Sequence, residues 1–380
     1  MSFVLFLTVT AIVCAYLYLI KTFSYWKDRG VSHETPSFLT GNLNGVRKYV
    51  HLVKRFQELY EKFKNDQKFC GFYLCQNPKL IIIDLELIKN ILIKDFHYFD
   101  DRGLYYNEKD DPLSAHLFFI KGDKWRTLRN KLTGTFTSGK IKMMFPIVAG
   151  FSNGLVNLVN KNLSNYNGID IKQVCIRYTT DVIGSCGFGI ECDALKNEDC
   201  EMLKITNIFD YKNFETSARL YFTQAFPQLS LKLGIKLTPS NVNEFFMRII
   251  KQTYDFRVEN DVDRNDFMSL IIQIQKYGKL KDENDLDEVE TMTFNELAAQ
   301  AFIFFAAGFE ASSKTMQLAL YELAYRSEIQ DKLRAEISRV TEMTNNEITY
   351  EGLLEMSYLD QIVKGTLNIP YFLFECSSTV

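Results

Sequence analysis

The sequence predicts a mainly α-helical domain with a small β-sheet, carried behind an N-terminal helix that spans a membrane. Three observations predict it: Phe3 to Ile20 carries no charged residue, Phe294 to Leu323 is apolar on every side, and helical spacing recurs between them around one short β-branched stretch. With 380 residues, 31 Phe and 20 Tyr, the chain can bury one sizeable core. Its formal net charge of −3 is close to balanced. Without a basic stripe or a phosphate-cradling glycine loop, nucleic acid is not an expected partner.

The apolar run comes first. As a helix of about 18 residues rising about 1.5 Å each, Phe3 to Ile20 is about 27 Å long, enough for the thinner bilayer of the endoplasmic reticulum. A cleaved signal peptide is the rival reading, but a basic n-region and a small-x-small cleavage site before Lys21 are missing. Lys21, Lys27 and Arg29 follow the run, and positive charge stays on the cytoplasmic side, so the domain is expected on the cytosolic face of that membrane. Residues 1–20 are read as a signal-anchor, 21–45 as a polar linker through Gly30, Pro36, Gly41 and Gly45, and 46–380 as the folded domain.

Within that domain, Val46 to Phe63 repeats Val50, Val53, Phe56 and Leu59 at helical spacing. Phe69–Cys75 and Lys79–Asp84 flank Gln76-Asn77-Pro78 and read as a hairpin, because Asn-Pro favours a turn and Ile81, Ile82 and Ile83 are β-branched. Cys70 and Cys75, an odd spacing apart in that stretch, are expected on opposite faces. Helical patterns follow over Leu85–Ile93, Lys124–Thr133, Lys140–Leu163, Ile171–Cys186, Phe245–Phe256 and Phe267–Ile274. Lys276 to Glu290 reads as a solvated loop before the apolar helix. In a cytosol-facing chain most of the eight cysteines are read as small buried thiols, and neither they nor His33, His51, His97 and His116 show metal-ligand spacing.

Phe294 to Leu323 carries the first candidate site. Leu297, Ala298, Ala301, Phe302, Ile303, Phe304, Phe305, Ala306 and Ala307 leave no polar face, so this helix runs through the middle of the domain. Gly308 costs a helix about 1 kcal/mol relative to alanine, which suggests that something flat or bulky presses on the backbone there. Glu310 is costly to bury unless it is paired or faces a wet pocket. Ala307, Gly308 and Glu310 therefore read as the wall of a ligand or cofactor chamber. A kinked core helix whose Glu310 reaches solvent is the other reading. Trp125 and Arg129 are the second candidate: four apart on a helix they share a face, and both are donors suited to a carboxylate or other anion. An amphipathic helix with a surface arginine explains the same spacing.

Several blocks carry more than periodicity. WRTLRNKLTGTFTSGKIKMMFP from Trp125 to Pro146, RYTTDVIGSCGFGIEC from Arg177 to Cys192, and RNDFMSLIIQI from Arg264 to Ile274 resemble the matching blocks of microsomal cytochrome P450s. So do FFAAGFEASSKTMQLALYELA from Phe304 to Ala324 and MSYLDQIV from Met356 to Val363, and the resemblance is to insect members of family 6 in particular. It covers nearly the whole chain. It implies a cytochrome P450 fold and a haem-thiolate monooxygenase that oxidises small apolar compounds with electrons from NADPH-cytochrome P450 reductase. By the same resemblance, Trp125, Arg129 and Arg102, in FDDRG, match propionate-binding positions. Ala307 and Gly308 match the small pair that lets a helix lie over haem, Glu310 an acid that helps relay protons, and Phe304 a residue lining the substrate cavity. The loops Arg102–His116 and Phe209–Pro239 match the cover of that cavity.

Three departures from the family pattern bear on catalysis. The threonine expected after the acid is Ala311, which has no hydroxyl, and Ser312 follows at a position turned by about 100°. The Glu-x-x-Arg expected after MSYLDQIV is replaced by Gly365-Thr366-Leu367-Asn368. The loop bearing the axial cysteine is not found before Val380, and Cys376 lacks its flanking residues. The expectation is a cytochrome P450 domain lacking its C-terminal haem-thiolate part and inactive for that reason. A non-catalytic, membrane-anchored binding protein is the alternative.

Overall fold

The structure is a computed structural model, and it describes residues 2–38, 40–43, 52–163, 168–206, 214–280 and 291–368. The chain divides into two units, Met1–Tyr105 with Lys212–Leu233, and Tyr106–Tyr211 with Gly234–Val380. The described residues are mainly helical, with one two-stranded sheet, as the sequence predicts.

The first unit opens with α1 (Ser2–Phe23) and the short α2 (Tyr25–Asp28). α1 is long and apolar enough to cross a membrane. Thr8 and Thr10 donate their hydroxyls back to the carbonyls of Val4 and Phe6 at 2.8 Å, which satisfies them within an apolar helix. The end of α1 is docked by aromatic residues. The Trp26 indole donates to the Phe72 carbonyl at 3.2 Å, and the Tyr73 hydroxyl donates to the Phe23 carbonyl at 2.9 Å. Gly71 makes room for this: a Cβ there would stand 2.6 Å from the Trp26 ring.

α3 (Leu52–Phe63) carries the helix expected over 46–63, whose first residues lie outside the described ones. β1 (Phe69–Leu74) and β2 (Asn77–Ile82) pair antiparallel with Leu74 opposite Asn77 and Tyr73 opposite Pro78. The hairpin turn is therefore Cys75-Gln76 and not the Asn-Pro dipeptide. Cys75 takes a φ of 59°, and Pro78 sits in an outer strand, where its missing N–H is tolerated. Cys75 thus leaves the strand alternation, and it and Cys70 are both buried. α4 (Leu85–Lys89) starts at Asp84, whose carboxylate accepts the Leu87 N–H at 2.8 Å, and widens into a π-helical turn over Asn90–Lys94.

The second unit begins with a segment, Tyr106 to Ile120, that holds one 3-10 turn at Pro112–Ser114. Then come α5 (Gly122–Thr133), α6 (Ser138–Gly150), α7 (Ser152–Leu163), α8 (Ile171–Phe188) and α9 (Glu201–Thr206). The single helix expected over Lys140–Leu163 is broken at Phe151, after Pro146 and Gly150 have weakened it. α10 (Phe214–Ala225) and α11 (Pro227–Lys232) belong to the first unit. α12 (Ser240–Glu259), α13 (Phe267–Tyr277), α14 (Phe294–Ala324), α15 (Ser327–Met343), α16 (Tyr350–Leu354) and α17 (Ser357–Leu367) complete the second. α13 reaches Tyr277 and stops at a left-handed Gly278, so the expected loop starts later than Lys276. Its 281–290 part lies outside the described residues.

α14 organises this unit. It starts with a capping box: the Thr293 hydroxyl accepts the Glu296 N–H at 3.2 Å, and the Thr293 N–H donates to the Glu296 carboxylate at 2.9 Å. Leu297, Ala298, Ala299, Ala301 and Phe305 are fully buried, and the Phe246 ring of α12 lies 5.1, 5.2 and 5.8 Å from those of Phe302, Phe305 and Phe188. A buried ion pair ties the elements around it. Arg257 of α12 donates to both carboxylate oxygens of Asp266 at 2.7 and 2.6 Å and to the Ser269 hydroxyl at 2.8 Å.

α17 is held from α15. Glu336 accepts the backbone N–H groups of Tyr358 at 2.8 Å and Leu359 at 2.9 Å, capping the first turn of a neighbouring helix. Desolvation opposes ionisation there, but the Tyr358 and Leu359 donors, with Arg339 and Ser357, outweigh it and hold the carboxyl below its ordinary range. A depressed carboxyl contributes stability above its unfolded-state pKa and loses it as pH falls through the folded one. Glu336→Gln is therefore expected to lower the melting temperature at neutral pH and to flatten its fall in acid. Equal pH slopes for the two proteins in a thermal melt would show that the cap does not couple to folding.

Candidate cofactor site

Burial changes along α14. The turns up to Phe305 are enclosed, whereas Ala307, Ala311 and Ser312 are exposed. Steps of four place Ala307 and Ala311 on one line, a strip of small side chains open to its surroundings. On the adjacent line, Phe304 and Gly308 face α8, where Ile183 and Gly187 are also four apart. A Cβ on Gly308 would come 2.5 Å from Ile183 Cδ1, and one on Gly187 would come 3.1 Å from Phe304 Cδ1. Large fits small in both directions. The bulky neighbour that Gly308 implies is thus Ile183. Phe304 stacks on Phe267 at 4.1 Å and lies 6.0 Å from Phe136, so its ring packs between helices while staying partly exposed.

Glu310 is paired as well as partly exposed. Its Oε1 lies 2.8 Å from Lys314 Nζ one turn on, and the lysine side chain is the more buried of the two, at 12% exposure against 38%. Ser313 and Thr315 return their hydroxyls to the carbonyls of Glu310 and Ala311 at 3.0 and 2.8 Å, so Ser312 carries the exposed hydroxyl of this turn.

α5 brings Trp125 and Arg129 together as the spacing predicts. Trp125 is buried, Arg129 is exposed, and the guanidinium stands 5.0 Å from the indole centroid. Lys124 ties α5 to the start of α14 through Glu296 at 3.1 Å and to the preceding segment through Glu108 at 2.6 Å. Arg102 falls in the first unit and is exposed there. On α17, a Cβ at Gly365 would meet nothing within 4 Å, and Asn368 ends the helix. Gly365 lines a groove of about 310 Å³ with Leu323, Arg326, Ile329, Tyr358 and Ile362. From Ala311 to Leu323 is about 18 Å along the helix, so this groove is separate from the Ala307–Ala311 strip.

Sequence reasoning missed five residues on or near α14. Lys314 was legible as the i+4 partner of Glu310, and Thr293-x-x-Glu296 as a capping box. Gln300 and Asp111 gave no signal, because their partners are backbone groups distant in sequence.

These features define a mainly α-helical protein with a membrane-length N-terminal helix, a long buried helix presenting a small-residue strip, and a separate Trp–Arg face suited to an anion. The chain belongs to the cytochrome P450 family, whose model, described as Cytochrome P450, matches residues 32–369. It is 41% identical over 353 residues to Cytochrome P450 6A1 of Musca domestica, covering 92% of this chain and 68% of that protein. It is 42% identical over 361 residues to Cytochrome P450 6a2 of Drosophila melanogaster, covering 93% and 71%. With Cytochrome P450 6a8 of the same fly it shares 39% over 371 residues, covering 97% and 73%. Family membership carries the reaction class, monooxygenation, and the cofactor, haem. The N-terminal apolar helix is compatible with membrane anchoring.

The residues fit haem at its edges and along one face. The Arg129 guanidinium is a charge-assisted donor for a propionate, and the Ala307–Ala311 strip leaves room for a flat group. None of these side chains is a thiol that could supply the axial bond. Burial pushes the thiols of Cys70, Cys75, Cys175 and Cys186 up to about 11 and that of Cys192 higher still, so without a metal beside them these stay protonated at neutral pH. Cys376 lies outside the described residues.

Proposed function

We propose that this chain is a haem monooxygenase of small apolar compounds, anchored in the endoplasmic reticulum membrane by α1 with its domain on the cytosolic side, and supplied with electrons by NADPH-cytochrome P450 reductase. The observation that carries this reading is the family match over residues 32–369. The basic residues Lys21, Lys27 and Arg29 after the apolar run support the orientation.

Haem supplies the oxygen-activating chemistry when bound. The chain's own residues bind and orient. Arg129, held over Trp125, donates to a propionate. Ala307 keeps the α14 face low, and Gly308 sets how closely α14 approaches α8. Glu310, steadied by Lys314, takes up and releases a proton at its carboxylate oxygens. Ala311 offers no hydroxyl, so Ser312, turned by about 100°, is the hydroxyl available to hand that proton on. Of the loops Arg102–His116 and Phe209–Pro239 read as the substrate cover, 209–213 lie outside the described residues, and 106–116 and 234–239 belong to the unit that holds α14.

A second reading, a membrane-anchored binding protein without turnover, is favoured by one observation. Gly365 and Asn368 stand where the family carries its charged pair, and the Gly365 position is open on α17. The two readings part in the carbon monoxide difference spectrum of the reduced, haem-supplemented protein. The thiolate-haem band is expected for the monooxygenase. Haem bound without that band, with apolar ligands still taken up, would leave the binding protein.

A further inference from the structure

Two segments of the second unit are fastened to each other by one carboxylate. Asp111 is fully buried, and its Oδ2 accepts the backbone N–H groups of Leu237 and Thr238 at 2.9 Å each. Its own loop is wound tightly around it. The Asp111 N–H donates to the Asn107 carbonyl at 2.8 Å, and the Ser114 hydroxyl donates to the Asp111 carbonyl at 2.7 Å while accepting the Asn107 N–H at 2.9 Å. The far end of the loop is pinned to α14: the Leu117 N–H donates to Gln300 Oε1 at 2.9 Å, and Gln300 is itself buried. Between the two pins, Asp111 Oδ1 and His116 Nδ1 are both buried with no hydrogen-bond partner. Burying such atoms is costly, so this loop is closed against a penalty and its fastenings decide whether it stays closed.

We propose that Asp111 is a positioning residue that latches the segment 106–120 to the segment 234–238 and so controls the access of small apolar molecules to α14. The proposal rests on the reading of these segments as the substrate cover. Two backbone donors converging on one buried oxygen make a fastening that a single side-chain change undoes, since both N–H groups lose their acceptor at once. Lys236 acts on Asp111 from the facing segment. Asp110 lies beside it, with Oδ2 3.3 Å from where a Cβ on Gly234 would stand. α14 presents the uncharged Gln300 and Phe302, and His116, pushed down to about 4 by burial, is neutral at physiological pH. Burial raises the Asp111 carboxyl above the ordinary range, against the Thr238 and Leu237 donors and Lys236. A carboxyl with a higher pKa latched than free binds its proton more tightly when latched, so protonation favours the closed state. The latch therefore loosens as pH rises through the raised value.

The test is amide hydrogen exchange on the full chain in lipid nanodiscs, corrected for intrinsic rates. In Asp111→Ala the Leu237 and Thr238 amides are expected to exchange at least about tenfold faster, while α8 and α13 are unchanged. Asp111→Asn keeps an oxygen acceptor without the charge, and is expected to retain protection and to lose the pH dependence of the wild type. Unchanged exchange at Leu237 and Thr238 in Asp111→Ala, or acceleration spread evenly through α8 and α13, overturns the latch. Where Asp111→Ala does not fold, the pH series decides alone: wild-type protection that stays flat from about pH 4 to about pH 8 overturns it. Control of access is read from the association rate of an apolar fluorescent probe, expected to be faster in Asp111→Ala. Equal rates overturn that part. No arm needs haem or turnover, so failure here is distinguishable from failure of the monooxygenase reading.

Discussion

Replacing Arg257 with alanine is expected to lower the unfolding free energy by about 3–5 kcal/mol, read as a fall in the urea midpoint. The reason is the partner left behind. Asp266 is fully buried and Arg257 nearly so, and the guanidinium meets both carboxylate oxygens at 2.6 and 2.7 Å. Removing the cation leaves an ionised carboxylate in the interior with only the Ser269 N–H at 2.9 Å and the more distant Arg264 at 3.5 Å to hold it. The site has no slack: a Cβ on Gly189 would stand 1.9 Å from Arg257 Nη2. The double change Arg257→Met with Asp266→Asn removes both charges and keeps an oxygen to cap α13, so it is expected to recover most of the loss. A double variant no more stable than Arg257→Ala would mean that the ion pair contributes net stability beyond avoiding an orphaned charge.

The contrast between this pair and α14 shows what the sequence made legible. The apolar, faceless run from Leu297 to Phe305 announced a core helix, and the structure buries those turns, because all-round hydrophobicity has one stable solution. Trp125 and Arg129 could be placed on one face from spacing alone, since the helix imposes that geometry. The hairpin was legible but its turn was not: Asn-Pro looks like a turn locally, yet the pairing of Tyr73 with Pro78 moved the turn to Cys75. Arg257 and Asp266 gave no sequence signal, because their contact crosses a helix end and a loop for which no periodicity exists. The unassigned helices after α14 are amphipathic, with few buried positions, and their stability comes from contacts such as that of Glu336 with α17. Gly308 was legible as a place of close approach, but a sequence does not name what approaches.

That last ambiguity is resolved by a double-mutant cycle between Gly308 and Ile183. In a helix interior, Gly308→Ala gains about 1 kcal/mol of propensity. Its new Cβ meets Ile183 Cδ1 at 2.5 Å and Cγ1 at 3.0 Å, and Cδ1, the mobile end of a side chain, yields. Alanine is therefore expected to be close to neutral. Gly308→Val adds branches that rotation of Ile183 does not clear, and is expected to cost about 1–3 kcal/mol. Ile183→Ala, at a site 8% exposed, is expected to cost about 2–5 kcal/mol through the cavity it leaves under α14. The two should not add. Valine at 308 fills part of the space vacated at 183, so the double variant is expected to be more stable than the sum of the two losses by about 1–3 kcal/mol, measured by urea unfolding. Losses that add within about 0.5 kcal/mol would mean that Ile183 is not what fixes glycine at 308. Haem retention then separates the remaining possibility, since a glycine required on the cofactor side would lose haem in Gly308→Val whether or not Ile183 has been cut back.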